Sequence, residues 1–420
     1  MADLVPRAAA ARLSELTAHL RVVMVSGPRQ SGKTTLLREH LHSGGTFRSL
    51  DRPETLSAAR DDPATFATSG PVPRIIDEVQ LGGDQLVRAI KADVDAHPEP
   101  GRVVLSGSSR SLTIPTLSES LAGRVAFVEL WPLSMAERTR SAPDAVTRWF
   151  GDVAAVMSDS AWTRPGYLAA VTAGGYPGAL TITSALARRA WFDGYLSTVI
   201  TRDIRDFATV TRGDTVATLL GLVAARAGRH RVLADLAHSA NLARDTTRNY
   251  LSYLDMVYLT TTVPAWSSNL TSRLAKTPKL HPTDSGLAAH VVGVDADALA
   301  EPGHPALGPL IETFVATELL KAIAVADRRI SLFHLRTADR QEVDFVLEGP
   351  GGRIIAIEVK ASASPGASAL KGLRWLRDKL GDRLHAGILL HLGTEAASRG
   401  DGIFALPLSS LWDHQPLASP

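Results

Sequence analysis

Apolar residues in this chain fall into short unbroken runs, separated by stretches in which they recur every three or four positions. Val22-Val23-Met24-Val25, Ile75-Ile76, Val103-Val104-Leu105 and the run 125–130 each end in small or acidic residues. Runs of this length predict strands buried on both faces, as in a parallel sheet. Leu13, Leu16 and Leu20 share one side of a helix expected over 5–20, and a short strand at 47–51 leads into a helix over 52–66. Residues 141–210 read as helical, with a break at 170–177. A short amphipathic helix carrying Leu233, Leu236, Ala237 and Ala240 then breaks at 241–243. Thr247, Tyr250, Leu251 and Leu254 follow at i, i+3, i+4, i+7, and 257–263 begins a strand pair. Helix, turn, helix and ribbon is the layout of a winged helix-turn-helix. Beyond it come a strand-then-helix junction at 279–287, a helix burying Ile311, Phe314 and Val315, and strands at 332–336, 342–347 and 354–360.

The run at 22–25 opens onto Gly27-Pro28-Arg29-Gln30-Ser31-Gly32-Lys33-Thr34-Thr35. This is G-x-x-x-x-G-K-[ST] between a strand and a helix, the setting in which that pattern forms a phosphate loop. Its glycines let successive N–H groups point at phosphate oxygens, and the helix start adds its positive dipole end. Lys33 would reach the β/γ-phosphates of ATP and the Thr34 hydroxyl would ligate Mg²⁺. At the tip of the Ile75-Ile76 run, Asp77 would hold the metal and Glu78 would polarise the attacking water. Ser108, after the third run, could hydrogen-bond the γ-phosphate or that water; an ordinary turn is the other reading. Arg124, or Arg110 before it, could complete a neighbouring subunit's site as an arginine finger in a homo-oligomer. Either is otherwise a surface arginine.

Composition narrows the classes. Cysteine is absent from the 420 residues, which excludes disulfides, thiolate zinc sites and cysteine nucleophiles and fits a cytoplasmic protein. No stretch approaches the ~20 apolar residues of a membrane span, and the first residues have no signal-peptide core, so neither a membrane partner nor export is expected. Lys+Arg 45 against Asp+Glu 43 predicts no polyanion partner from global charge. A DNA surface must therefore be local. Arg244, Arg248 and Asn249, near the start of the second helix of the helix-turn-helix, are the candidates, with Asp235 and Asp245 working against them.

GPRQSGKTTLL, RIIDEVQ, LSGSSR and LAGR…ELWPLSMAE stand in this order at these separations. Together they resemble a family of bacterial and archaeal AAA-type ATPases that carry a C-terminal domain of unknown function. The resemblance runs through nearly the whole chain. It implies an ATPase core over 1–140, a helical lid over 141–210, a winged helix over 211–270 and a final domain over 271–420. The fold class expected is therefore multidomain α/β. TVITRDIRDF, with Arg202 and Asp203, is similar to a family phrase and also reads as a surface ion-pair network.

In the last domain, Asp344 followed by Glu358-x-Lys360 resembles the acid…acid-x-Lys set of restriction-endonuclease-like domains. Side chains alternate along a strand, so Glu358 and Lys360 share a face, and a hairpin can bring Asp344 beside them. Two carboxylates there, with Glu312 from the preceding helix, could ligate Mg²⁺ while Lys360 orients water. The expectation is an ATP-hydrolysing switch acting on DNA, with a nuclease-like metal site. The alternative keeps the ATPase and makes the C-terminal half a docking platform that does not cut.

Overall fold

The computed structural model describes residues 4–40, 44–110, 121–204, 213–228, 233–269, 273, 276–337, 339 and 341–413. The chain divides into two compact units, Met1–Pro132 with Met256–Tyr258, and Leu133–Asp255 with Leu259–Pro420.

In the first unit, β1 (Val22–Ser26), β2 (Thr46–Ser49), β3 (Arg74–Asp77), β4 (Val103–Gly107) and β5 (Val125–Glu129) form one sheet in the order β2-β3-β4-β1-β5. Every pairing is parallel. The unbroken apolar runs account for this: β1, β3 and β4 are buried along their whole length. Helix α1 (Ala9–His19) precedes them, and α2 (Lys33–His40), α3 (Pro53–Asp61), α4 (Pro63–Thr68) and α5 (Gly83–Ala96) lie between them in the chain. α5 inserts Leu86, Val87, Ile90 and Val94 into a core with Met24, Ile76 and Leu105. Of the three leucines expected to face inward at the N-terminus, only Leu13 is buried, and Leu20 is 37% exposed beyond the end of α1. The helix expected over 52–66 is two. Pro63 cannot donate to the preceding turn, and the Asp62 side chain accepts from Thr65 N at 3.0 Å to cap a new start.

The second unit has a large core and a second, smaller one around Trp266, Val346 and Leu373. Trp149 and Tyr167, from the segment expected as a lid, share the large core with Phe314, Phe345 and Trp412. Asp203's side chain and residues 205–207 of TVITRDIRDF lie outside the described residues; Arg202 is exposed. Helices Leu233–Ser239 and Arg244–Met256 are followed by β6 (Thr260–Val263), which pairs antiparallel with β7 (Lys279–Pro282). His281 and Pro282 keep regular register in that ribbon, opposite Thr261 and Thr260. Asp284 then caps the helix Ser285–Val292, accepting from Leu287 N at 2.9 Å.

The helix Leu307–Val325 is buried nearly all round, which explains its weak amphipathic pattern. Even its Glu318–Lys321 pair is inside, with Glu318 accepting from Met135 N and Lys321 donating to Leu133 O. A six-stranded sheet follows in the order β12-β13-β11-β10-β9-β8, built from β8 (Ser331–Arg336), β9 (Glu342–Glu348), β10 (Ile354–Lys360), β11 (Leu384–His391), β12 (Ala397–Ser398) and β13 (Ile403–Pro407). β8, β9 and β10 are antiparallel, whereas β10-β11 and β11-β13 are parallel. Among the described residues, no helix is long and apolar enough to cross a membrane.

One buried ionic cluster fastens the first sheet at its N-terminal edge. The Asp93 carboxylate on α5 is fully buried and takes Arg74 at 3.0 Å and Arg102 at 2.6 Å. Burial alone would raise its pKa, but the two arginines outweigh burial and lower it. Asp93→Ala would strand two guanidinium groups, costing about 3–5 kcal/mol; urea denaturation of the full chain, following the first unit, measures this. Because the carboxyl is depressed, its contribution is present at neutral pH and lost as pH falls through the folded-state value.

Candidate functional site

β1 ends at Ser26, and the backbone turns at once. A Cβ on Gly27 would lie 2.1 Å from the Leu130 carbonyl oxygen, so only glycine permits this approach. The loop passes through Gln30 (φ 62°) and Gly32 (φ 97°), both in the left-handed region, before α2 begins at Lys33. The Lys33 ammonium donates to the Gly27 and Pro28 carbonyls at 2.9 Å each, folding back over the loop. Arg7, which the motif does not reveal, supports the outside of the loop: it donates to Ser31 O at 2.5 Å and to Trp131 O at 2.7 Å. Ser31 Oγ is buried and has no protein partner. Thr35 is exposed on the first turn of α2.

The acids expected opposite this loop are there. Thr34 Oγ1 donates to Asp77 Oδ2 at 2.9 Å. Asp77 ends β3, and its neighbours in the sheet hold it: Ser49 of β2 donates at 3.3 Å to the same oxygen, and Ser106 of β4 donates to the other. Glu78 sits at φ 56°, a cost that an unconstrained glutamate would avoid. Ser108 donates to its carboxylate at 3.1 Å and Gln80 at 2.5 Å. Burial pushes the Glu78 pKa up, but Lys33, Gln80, Arg29 and Ser108 together bring it below the ordinary value. Glu78 is therefore ionised at neutral pH, as a base that receives a proton must be. Ser106 and Gln80 fall within the motifs LSGSSR and RIIDEVQ, whereas Ser49 is revealed only by the parallel register of β2 with β3.

This donor set fits Mg²⁺ bound with a nucleotide: a hydroxyl and a carboxylate already in contact, beside a loop with a buried unpartnered hydroxyl. The arginines expected as fingers are engaged within their own unit. Arg124 pairs with Asp95. Arg110 pairs with Glu129 at 2.9 Å and lies over the Tyr258 ring at 4.6 Å.

On the helix Arg244–Met256, Thr247, Leu251 and Leu254 are buried. Arg244, Arg248 and Asn249 are exposed, and Arg248 meets Asp245 at 2.6 Å. An exposed pair of that kind is worth at most about 1 kcal/mol and leaves the arginine available.

The C-terminal acids also converge, around a residue that the sequence pattern did not single out. β9 and β10 pair with Phe345 opposite Ile357, which brings Asp344 to Glu358, and Asp344 accepts from Val359 N at 2.9 Å. Glu358 and Lys360, on one face, pair at 2.5 Å. Between Asp344, Glu312 and Glu342 stands the Lys279 ammonium, at 3.8, 2.9 and 3.1 Å respectively. Its side chain is only 1% exposed. Burial works against its charge, yet Glu312, Asp344 and Glu342 outweigh that and raise its pKa. Burial and crowding with Asp344 push Glu312 and Glu358 up. Next along β7, fully buried His281 is pushed down to about 3 and stays neutral.

Among the described residues, no group of three or more His, Cys, Asp or Glu is arranged to hold a metal ion. The metal site expected from Glu312, Asp344 and Glu358 is therefore not shown. These acids are gathered, but with a lysine among them.

Residues 19–139 match the family model of an AAA domain. Residues 165–298 and 307–411 match two domains of unknown function, DUF8612 and DUF4143. Over 407 residues the chain is 30% identical to "Uncharacterized protein Rv2008c" of Mycobacterium tuberculosis and to "Uncharacterized protein Mb2031c" of Mycobacterium bovis, covering 96% of this chain and 84% of each of theirs. Among solved structures, the Walker-type ATPase PABY2304 of Pyrococcus abyssi is similar at 16% identity and a TM-score of 0.42, covering 69% of this chain and 96% of that one.

The contact at Gly27 gives a direct test. Gly27→Ala should push the loop away from Leu130 and weaken ATP binding by about tenfold or more, which is ~1.4 kcal/mol. Titration with a fluorescent ATP analogue reads this, with circular dichroism checking that the fold persists.

Proposed function

We propose that this chain, which belongs to the family of the mycobacterial proteins Rv2008c and Mb2031c and is an AAA-type phosphate-loop ATPase, works as a nucleotide-driven switch on DNA. The observation that carries the switch is a three-residue insertion. Met256–Tyr258 belong to the first unit, while the chain on either side belongs to the second. The Tyr258 hydroxyl donates to Ser26 Oγ at 3.0 Å, one residue before the phosphate loop, and Arg110 N donates to Met256 O at 2.9 Å. Met256 also ends the helix that displays Arg244, Arg248 and Asn249. The last residue of that helix is thus part of the first unit.

Thr34 and Asp77 would hold Mg²⁺, which neutralises charge developing on the phosphates. Lys33 would exchange the Gly27 and Pro28 carbonyls for phosphate oxygens. Glu78 would take the proton of the attacking water, oriented by Gln80 and Ser108. Arg244, Arg248 and Asn249 would meet the DNA backbone or bases. A second reading concerns the C-terminal half. Lys279 among Glu312, Glu342 and Asp344 favours a docking platform over a nuclease.

Glu78→Gln should keep ATP bound while lowering turnover by about 10²- to 10⁴-fold, the usual worth of a general base. Turnover of Glu78→Gln at the wild-type rate would remove Glu78 from this role. Arg244→Ala/Arg248→Ala should weaken DNA binding and flatten its salt dependence by about two counterions. Fluorescence anisotropy across a salt series checks this, and DNA binding that is absent or insensitive to salt in the wild type rejects the DNA reading.

A further inference from the structure

The acids of the C-terminal domain are arranged as if around a cation, and the chain supplies one. We propose that Lys279 is the resident cation of this cluster, holding the place a divalent metal would take, so that the domain is complete without metal and opens a metal site only when Lys279 is removed. This rests on the non-cutting reading of the C-terminal half and gives it a cause.

At the position of the Lys279 nitrogen the geometry suits an ammonium and not Mg²⁺. The carboxylate oxygens of Glu312, Glu342 and Asp344 stand 2.9–3.8 Å from the Lys279 nitrogen, the lengths of N–H···O contacts and longer. Mg²⁺ needs oxygens at about 2.0–2.1 Å in an octahedron. It would also stand against a buried ammonium in a low-dielectric setting. Glu312 has no retreat, because a Cβ added at Gly228 would fall 2.2 Å from its Oε2; the backbone there closes against the carboxylate. Lys360, the expected water-orienting residue, is occupied by Glu358 at 2.5 Å. A lysine buried to this degree is tolerated only because three carboxylates surround it. Once it is gone, those carboxylates have excess charge and a space of cation size.

Mn²⁺ is the probe, titrated into the full chain without nucleotide, so that the phosphate loop contributes equally to every variant. Uptake is read by electron paramagnetic resonance and stability by thermal denaturation. Wild type and Asp344→Asn should take up equal amounts. Lys279→Met and Lys279→Gln should each take up one more Mn²⁺ per chain, with a melting temperature that rises as Mn²⁺ is added. In Lys279→Met/Asp344→Asn that gain should disappear. Uptake in wild type that Asp344→Asn removes would overturn the proposal, as would folded Lys279 variants that gain nothing. Should neither Lys279 variant fold, the first pair still decides: equal uptake supports the resident cation and unequal uptake rejects it. Mn²⁺-dependent plasmid nicking by wild type, abolished in Asp344→Asn, would overturn the non-cutting reading itself. Absence of nicking together with no gain at Lys279 would overturn the resident cation alone.

Discussion

The hydrogen bond from Thr34 to Asp77 is the constraint around which the first unit is assembled. Its two ends lie on elements that are not sheet neighbours, because β4 stands between β1 and β3. Closing it requires three strands to end at the same level and α2 to start immediately after the loop. The sheet meets this with parallel pairing throughout, and Ser49 and Ser106 hold the carboxylate from both sides. Open α/β sheets bind ligands at such carboxyl ends, where the strand order changes direction. A shift of one residue in β3 would turn Asp77 away and bring Ile76 to the tip.

Two buried lysines show how surroundings give one side chain different uses. Lys33 donates to two neutral carbonyl oxygens and feels the Glu78 carboxylate electrostatically. Lys279 lies among carboxylates, with Glu312 at 2.9 Å and Glu342 at 3.1 Å. The first therefore has mainly neutral oxygen partners and the second mainly ionisable ones. Both are more than nine-tenths buried, so burial alone does not distinguish them.

The phosphate loop, the Asp-Glu pair and the five strands of the first unit were legible in the sequence because each is local: an unbroken apolar run, then a change to polar residues within a few positions. The same holds for the helix bearing Thr247, Leu251 and Leu254, where a period of 3.6 fixes the buried side. Arg7 and Lys279 could not be found that way. Arg7 acts on Ser31 and Trp131, 24 and 124 positions away, and Lys279 on acids 33 to 65 positions away. No periodicity records such contacts. In the C-terminal domain, E-x-K and the upstream acids were read correctly as neighbours. A further residue from another strand, Lys279, stands among them.

The tie through Met256–Tyr258 also makes the first unit discontinuous along the chain. Residues 1–132 hold the whole sheet, yet the ring beneath Arg110 and the hydroxyl on Ser26 arrive more than a hundred residues later. A fragment cut at Pro132 would expose the surface these residues cover. During synthesis, the nucleotide-binding half could acquire its finished form only after the helices preceding Tyr258 had emerged from the ribosome. A fragment released early would thus lack the Tyr258 contacts to Ser26 and Arg110 that the intact polypeptide provides.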